Sequence, residues 1–121
     1  MAWKNKVKRG GVAEKQAQQY LSNRGLRLIQ CNYRCRWGEI DIIASDGERL
    51  VFVEVRSRWS NRGNPREELL AYAKKKRLRN LVYYYLQKEV GQEVDCRLDL
   101  LTVEMNAQGE AVAFQHFKGV F

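Results

Sequence analysis

The sequence lacks a long apolar run and has few of the residues that mark membrane or disulfide-bonded proteins. Its longest hydrophobic stretches, LVFV and LVYYYL, are far shorter than the roughly 20 residues that a membrane-spanning helix requires. The three cysteines form no CxxC pair, and their odd number argues against a disulfide framework. The basic N-terminal residues contain neither the apolar stretch nor the cleavage site of a secretory signal. We therefore expect a cytoplasmic protein.

Zinc binding is the chemistry that the cysteines and the single histidine could still provide. Cys31, Cys35, Cys96 and His116 are the residue types of a Cys3His zinc site. If Cys31 and Cys35 lie on one strand, however, a rise of about 3.3 Å per residue separates them by roughly 13 Å, which is too far for a shared metal ion. Buried, reduced cysteines are the preferred interpretation.

Acidic residues are scarce relative to basic ones. The 121-residue chain has 22 Lys and Arg residues against 14 Asp and Glu residues, a formal net charge of +8. This excess favours an anionic partner, such as nucleic acid or an acidic membrane surface. Hydrophobic residues make up 45% of the chain and charged residues 30%, a balance that excludes a disordered polymer. We expect a single domain, residues 1–121, with a basic arm at 1–10.

Hydrophobic periodicity predicts a mixed α/β (α+β) domain in which helices flank a mixed central sheet of about five strands. A helix over 11–24 ends at Gly25, and a strand near a sheet edge follows at 26–36. The runs EIDIIA and LVFVEVR predict a hairpin around Asp46 and Gly47. The segment RSRWSNRGNPR has no apolar periodicity and holds the only proline, which predicts a mobile basic loop.

The second half of the chain predicts one long helix and two more strands. The helix carries a buried stripe with residues at i, i+3, i+4 and i+7: Leu78, Leu81, Val82 and Tyr85. The strand candidates VDCRLDLLTVE and AVAFQHF flank a turn at 106–109.

Acidic residues concentrate in the predicted hairpin. Because side chains alternate along a strand, Glu39 and Asp41 are expected on one face of the first strand, opposite Ile40 and Ile42. Glu54 and Arg56 likewise share a face of the next strand. If these faces coincide, three carboxylates and one guanidinium converge and require a counter-charge such as Mg²⁺ or Mn²⁺. Such a cation could support phosphodiester hydrolysis. An exposed hairpin whose acids pair with nearby Lys and Arg explains the pattern equally well.

The run GEIDIIASDGERLVFVEVRSR resembles the uncharacterised YraN-like bacterial family, which belongs to the restriction-endonuclease-like PD-(D/E)xK superfamily and is similar to archaeal Holliday-junction resolvases. Weaker matches follow in the same order along the chain, at Ala13, Glu14 and Ala17, at Lys74, Arg77 and Leu78, at 96–99, and at His116 and Phe121. The resemblance implies a restriction-endonuclease-like core.

The resemblance also implies an activity, a metal-dependent endonuclease acting on branched DNA, with Mg²⁺ or Mn²⁺ as cofactor. Asp41 and Glu54 match the metal-binding acids, and Glu14 matches an acid on the first helix of the resolvases. Arg56 stands where the superfamily has its catalytic lysine, and an arginine stays protonated and cannot act as a general base. A binding module on a degenerate nuclease scaffold is the alternative. Similarity to resolvases suggests a homodimer with two sites about a two-fold axis.

Basic residues that could bind a nucleic-acid backbone follow the hairpin and occupy the long helix. With one aromatic residue for base stacking, the candidates are Arg58, Trp59, Arg62, Arg66, Lys74, Lys76 and Arg79. Trp59 could equally anchor the loop to the domain, Lys74 could lie at the edge of the core, and the KKKRLR run could be a solvated helix face. A protein-interaction domain that binds an acidic partner is a third functional class.

Overall fold

The computed structural model describes residues 12–59, 71 and 76–120, without the side chains of residues 12, 13, 59 and 76. The described elements are α1 (Val12–Asn23), β1 (Arg27–Cys35), β2 (Gly38–Ser45), β3 (Leu50–Trp59), α2 (Lys76–Tyr85), β4 (Cys96–Met105) and β5 (Ala111–Phe117). A π-helical turn, Leu86–Val90, continues α2. The order of helix, three strands, helix and two strands confirms the sequence prediction.

The strands form one mixed sheet in the order β1-β2-β3-β4-β5. Neighbouring strands are antiparallel except β3 and β4, which run parallel and are separated in the chain by α2. The predicted edge strand, β1, lies at one edge of this sheet. The protein is therefore a mixed α+β domain whose five-stranded sheet and flanking helices are those expected of a restriction-endonuclease-like core.

In the described part of the chain, α1 packs on one face of the sheet and α2 on the other, and each face carries its own hydrophobic core. On one face, Ala17 and Leu21 of α1 pack against strand residues that include Val53 and Val55. On the other, all four residues of the predicted α2 stripe are buried against residues such as Phe52. Each large apolar side chain buried in this way contributes about 1.5–3 kcal/mol to folding. Because side chains alternate along a strand, the two cores determine on which face of the sheet each polar side chain of β3 and β4 lies.

The hairpin turn between β2 and β3 is stabilised as its sequence predicts. Gly47 adopts a φ of 99°, a left-handed conformation that disfavours residues with a Cβ. Asp46 Oδ1 accepts hydrogen bonds from the backbone N–H groups of Glu48 and Arg49, at 2.9 and 2.7 Å. These bonds favour the ionised carboxylate and lower the pKa of Asp46.

β3 continues further than its sequence predicts. Residues 57–59, expected only in a basic loop, form strand and pair in parallel with 103–105 of β4. The loop prediction is wrong for these three residues because the pairing that orders them comes from a strand more than forty residues away, which local periodicity does not report. The remainder of the predicted loop, 60–66, lies outside the described residues.

The cysteines lie on both sides of the sheet and are free thiols. Cys31 packs against the α1 core, whereas Cys35 and Cys96 pack against the α2 core, so the sheet itself separates them. All three are half-buried rather than fully buried. Burial raises the pKa of the Cys31 and Cys96 thiols, which keeps them protonated at neutral pH. Across the described part of the chain, no helix has the length and apolar character needed to cross a membrane.

Candidate active site

Asp41 occupies the position where β2 separates from β3. The antiparallel register between these strands runs from Ser45↔Leu50 to Ile42↔Val53 and does not continue to Asp41. Asp41 Oδ2 instead accepts a hydrogen bond from the backbone N–H of Val55, at 2.8 Å. A carboxylate thus takes the place of a backbone carbonyl between the strands. The Asp41 side chain is buried.

The strands also exchange faces at this position. Ile40 packs in the α2 core and Ile42 in the α1 core, so the expectation that they share a face is wrong. Their partners on β1 change in the same way, because Cys31 contacts the α1 core and Tyr33 the α2 core. Between these two partners lies Asn32, with a φ of 57°. A left-handed residue interrupts the regular alternation of side chains on which the prediction depended.

Glu54 and Arg56 share the α2 face of β3, as predicted. Arg56 Nε donates a hydrogen bond to Glu54 Oε2 at 2.9 Å. The Glu54 side chain is only 2% exposed, while that of Arg56 remains 31% exposed. A crevice of about 10 Å³, bordered by Glu54 and by Leu78 and Val82 of α2, has room for no more than one water molecule. The carboxylate is therefore buried, whereas the guanidinium can still reach a ligand in solvent.

Glu14 approaches the site from α1 without entering an acidic cluster. Its Oε2 accepts a hydrogen bond from Asn32 Nδ2 at 2.8 Å. Asn32 lies between the β1 residues that pair with Ile42 and Ile40, and so stands across from Asp41. The negative charge of Glu14 adds to burial in raising the pKa of Cys31, which packs against the α1 core. Glu14 thus contacts the residue opposite Asp41 from the α1 side, whereas Glu54 faces α2.

Glu39 contributes to a different contact. Its carboxylate lies 3.8 Å from Arg34 Nε, across the β1–β2 pair, and the Arg34 side chain is 58% exposed. Within the described ranges, no group of three or more His, Cys, Asp or Glu side chains is placed to hold a metal ion. The convergence of three carboxylates is therefore not observed. The candidate site reduces to two buried acids, Asp41 and Glu54, beside Arg56.

Two buried carboxylates fit the requirements of Mg²⁺ or Mn²⁺. These hard cations prefer oxygen ligands, and Mg²⁺ is usually bound through one or two carboxylates while water and substrate phosphate complete its shell. The N–H of Val55 binds the Asp41 carboxylate, and Val55 directly follows Glu54 in β3. The two acids are therefore associated with neighbouring residues of one strand. The chemistry of these two oxygen donor groups suits such a cation.

A groove with polar and apolar walls continues from this site along the α2 face of the sheet. Arg58 Nη1 lies 3.7 Å from Glu104 Oε1, and Thr102, opposite Arg56 in the β3–β4 register, is buried. With Gln115 of β5, these residues border a groove of about 260 Å³. Arg58 is only 12% exposed, so it is part of the groove wall and not of a flexible loop.

The other predicted nucleic-acid contacts are placed only in part. Arg79 is exposed on α2, where the sequence predicts a polar face. Trp59 is the last residue of β3 and Lys76 the first residue of α2, but their side chains are outside the described part of the structure. Arg62, Arg66 and Lys74 lie outside the described residues altogether.

Sequence reasoning missed two residues near the site, Asn32 and Trp37. Asparagine is one of the few residues with a Cβ that tolerate a left-handed φ, but this preference also occurs in ordinary turns. Trp37 lies in the turn between β1 and β2, and its side chain is 52% exposed, which is unusual for so large an apolar group. Neither signal distinguishes a functional residue without the surrounding geometry.

A further buried acid, Asp99, lies on the α1 face of β4. It accepts hydrogen bonds from Arg97 Nε at 3.0 Å and from the Gly119 N–H at 2.9 Å, and it lies 2.7 Å from His116 Nε2. Arg97 also reaches Asp46 in the β2–β3 turn, at 3.1 Å. Burial alone would raise the pKa of Asp99, but the hydrogen bonds from His116, Gly119 and Arg97 outweigh it and leave that pKa lowered. The cluster joins β4 to β5 and to the β2–β3 turn.

Comparison with known proteins places the chain in a family. Residues 13–103 match the model of the uncharacterised protein family UPF0102. A UPF0102 protein of Pelotomaculum thermopropionicum is 37% identical over 112 residues, covering 93% of each chain. One from Moorella thermoacetica is 38% identical over 94% of this chain and 95% of its own, and one from Nitrosococcus oceani is 45% identical over 78% and 77%. The chain therefore belongs to the UPF0102 family.

Proposed function

We propose that the protein is a metal-dependent endonuclease that acts on branched or otherwise structured DNA. One observation carries the proposal: the bond from the Val55 N–H holds the buried Asp41 carboxylate against the β3 backbone, directly after the buried Glu54. Burying two acids costs free energy, and apolar residues at the same positions would avoid that cost. Retaining them beside Arg56, in a chain with a net charge of +8, supports a site for a cation and a phosphate.

Asp41 and Glu54 would hold Mg²⁺ or Mn²⁺ at this site. When bound, the cation would polarise a phosphoryl oxygen and offset the charge of the leaving group. Asp41 is kept in place by the Val55 N–H, which fixes the orientation of its carboxylate. Glu54 is oriented by its bond to Arg56 and by packing against α2.

Arg56 would bind the substrate phosphate through the exposed part of its guanidinium. Its planar fork of donors matches the oxygens of a phosphate and can bind two of them at once. It cannot accept a proton from an attacking water molecule. The native protein is therefore expected to cleave slowly compared with a nuclease that has lysine at this position.

A nucleic-acid-binding module without catalysis is the second candidate function. The 2.9 Å ion pair with Arg56 favours it, because this contact compensates the charge of Glu54 without any metal. Such a module would bind DNA equally well with a chelator present. A nuclease would need the divalent ion to cut.

Metal titration followed by a cleavage screen tests the proposal. Calorimetry with Mg²⁺ and Mn²⁺ should detect binding, and labelled duplex, flap and four-way-junction DNA should then be incubated with excess native protein, with and without chelator. We expect metal-dependent nicking of the branched substrates, and a homodimer in sedimentation analysis. Tight DNA binding with neither metal uptake nor cleavage would favour the module. Absence of nucleic-acid binding at low salt would favour a protein-interaction domain.

Substituting Arg56 separates its phosphate-binding role from proton transfer. Arg56→Lys introduces a group whose pKa can fall in a partly buried site, so cleavage should increase or appear. Arg56→Ala should lose cleavage and keep metal binding, because both acids remain. Single-turnover cleavage of a labelled four-way junction at matched occupancy compares the three proteins. If all are equally inactive with metal bound, the nuclease proposal is wrong and the module replaces it.

A further inference from the structure

We infer that the turn between β1 and β2, residues Arg36 and Trp37, is a stacking platform for an unpaired base of the DNA held at the candidate site. This inference rests on the proposed function for its substrate, but it concerns residues that the proposed chemistry does not use. It specifies the substrate class as DNA with an unpaired base close to the phosphate that is cut.

The turn lies at the same end of the sheet as the candidate acids. β2 begins at Gly38, directly after the turn, and reaches Asp41 three residues later. Because β3 is antiparallel to β2, its C-terminal half, with Glu54 and Arg56, extends towards the same end. At about 3.3 Å per residue, Trp37 is roughly 13 Å along the strand from Asp41. A DNA strand bound at the two acids would therefore reach the turn within a few nucleotides.

Trp37 is presented as a stacking surface. The Arg36 guanidinium carbon lies 4.7 Å from the centre of the indole, so one ring face carries a cation–π contact. The side chain is nevertheless 52% exposed. An arginine on one ring face and an indole that stays half exposed form an arrangement that can accept a planar base.

The turn is held firmly against α2. Gly38 has a φ of 141°, and a Cβ at this position would lie 3.3 Å from Leu81 Cδ1, a side chain that is fully buried. The backbone that carries Trp37 therefore packs closely on the helix. A platform positioned in this way loses little conformational freedom when a base binds.

The positive charge around the β1–β2 turn favours nucleic acid as the ligand of the stacking platform. Arg34 and Arg36 are both exposed on this end of the β1–β2 hairpin, and Glu39, which lies 3.8 Å from Arg34, is only 11% exposed. Phosphates flanking a stacked base would meet positive charge here. Of the other large exposed apolar residues in the described structure, Ile29 and Val112 have no ring to stack, and Tyr83 is on α2 and not in this turn.

Binding experiments with fluorescent DNA test the platform without requiring cleavage. The probe is a flap DNA with 2-aminopurine at the first unpaired position, titrated in the presence of chelator, with a fully paired duplex as reference. Trp37→Ala should weaken binding to the flap by roughly 5- to 150-fold, as expected for loss of one base–aromatic stack, and should abolish quenching of the probe. Trp37→Phe should restore part of both, and binding to the duplex should not change.

Tyr83→Ala is the matched control, since it removes an aromatic side chain of similar exposure from another element. Equal losses for Trp37→Ala and Tyr83→Ala, or equal losses on flap and duplex, would overturn the inference. Unchanged flap binding by Trp37→Ala in a protein that cuts DNA would overturn it while leaving the nuclease proposal intact. Loss of stacking in a protein that never cuts would support the platform and refute the nuclease.

Discussion

Replacing Asp41 with asparagine and Glu54 with glutamine should reduce metal-dependent cleavage by about a thousandfold or more, equivalent to about 4 kcal/mol of lost transition-state stabilisation. The amide side chains keep the size of the acids, and the amide oxygen introduced by Asp41→Asn can still accept the hydrogen bond from the Val55 N–H. Both amides lack the negative charge that a divalent cation needs. The folded structure should therefore persist while the metal site is lost.

Thermal unfolding provides a measurement of the metal site that does not depend on activity. A cation that binds only the folded state stabilises it by about 2.7 kcal/mol at one hundred times its dissociation constant. Native protein should thus melt at a higher temperature in Mn²⁺, and the double variant should show no such shift. Glu39→Gln is the matched control, because Glu39 is two residues from Asp41 but pairs with Arg34. The Glu39→Gln variant should retain both the rise in melting temperature in Mn²⁺ and the native cleavage rate.

Three results would contradict the assignment of the acids. A double variant that still melts at a higher temperature in Mn²⁺ would place the cation elsewhere. A double variant that cleaves at the native rate would show that the activity belongs to other residues or to a contaminating nuclease. A loss of cleavage in Glu39→Gln equal to that in the double variant would show that the effect is not specific to Asp41 and Glu54.

Local sequence patterns predicted those parts of the fold that depend on nearby residues. The spacing of Leu78, Leu81, Val82 and Tyr85 predicted the buried side of α2, because a helix repeats its environment every three to four residues. Asp46 and Gly47 predicted the hairpin, because one caps the turn and the other supplies the left-handed φ. Both signals are contained within a few positions of the chain.

The site depends on contacts that local patterns do not contain. The alternation rule placed Ile40 and Ile42 on one face, but the left-handed Asn32 on the neighbouring strand accompanies a change of face between them. Glu14 was identified by resemblance, yet its contact with Asn32 joins a helix to a strand 18 residues away. The strand character of Arg58 comes from pairing with β4. Long-range pairing overrides local propensity in each case.

Of the substitutions proposed for this protein, removal of the Asp99 carboxylate should cause the largest fall in the free energy of unfolding. Asp99 is completely buried, and its oxygens are contacted by Arg97, His116 and the Gly119 N–H. Asp99→Leu would leave these groups without their common acceptor inside the protein. We expect the free energy of unfolding to fall by about 3–5 kcal/mol, a large part of the roughly 5–15 kcal/mol typical of a domain. Urea unfolding at pH 7 measures this loss.

The contribution of Asp99 should also depend on pH in the acid range. The pKa of Asp99 is lowered in the folded protein, so folding favours its ionised form. Stability from this group is fully present above the pKa of an unfolded aspartate, about 3.9, and is lost as pH falls through the lower folded value. The difference in stability between native protein and Asp99→Asn, which keeps size and one acceptor, should therefore be large at pH 7. It should shrink progressively below about pH 4.

A double-mutant cycle with His116 tests whether the cluster acts as a unit. Contacting buried groups couple, so the losses for Asp99→Asn and His116→Gln should not add. His116 Nδ1 is buried and has no hydrogen-bond partner in the described part of the chain, so the ring is held there by its contact with Asp99. Additive losses, or a difference between native protein and Asp99→Asn that stays constant from about pH 7 to about pH 3, would show that the carboxylate does not stabilise the fold through its charge. Unchanged Mn²⁺ affinity in Asp99→Asn would separate this stabilising cluster on the α1 face from the candidate site at Asp41 and Glu54.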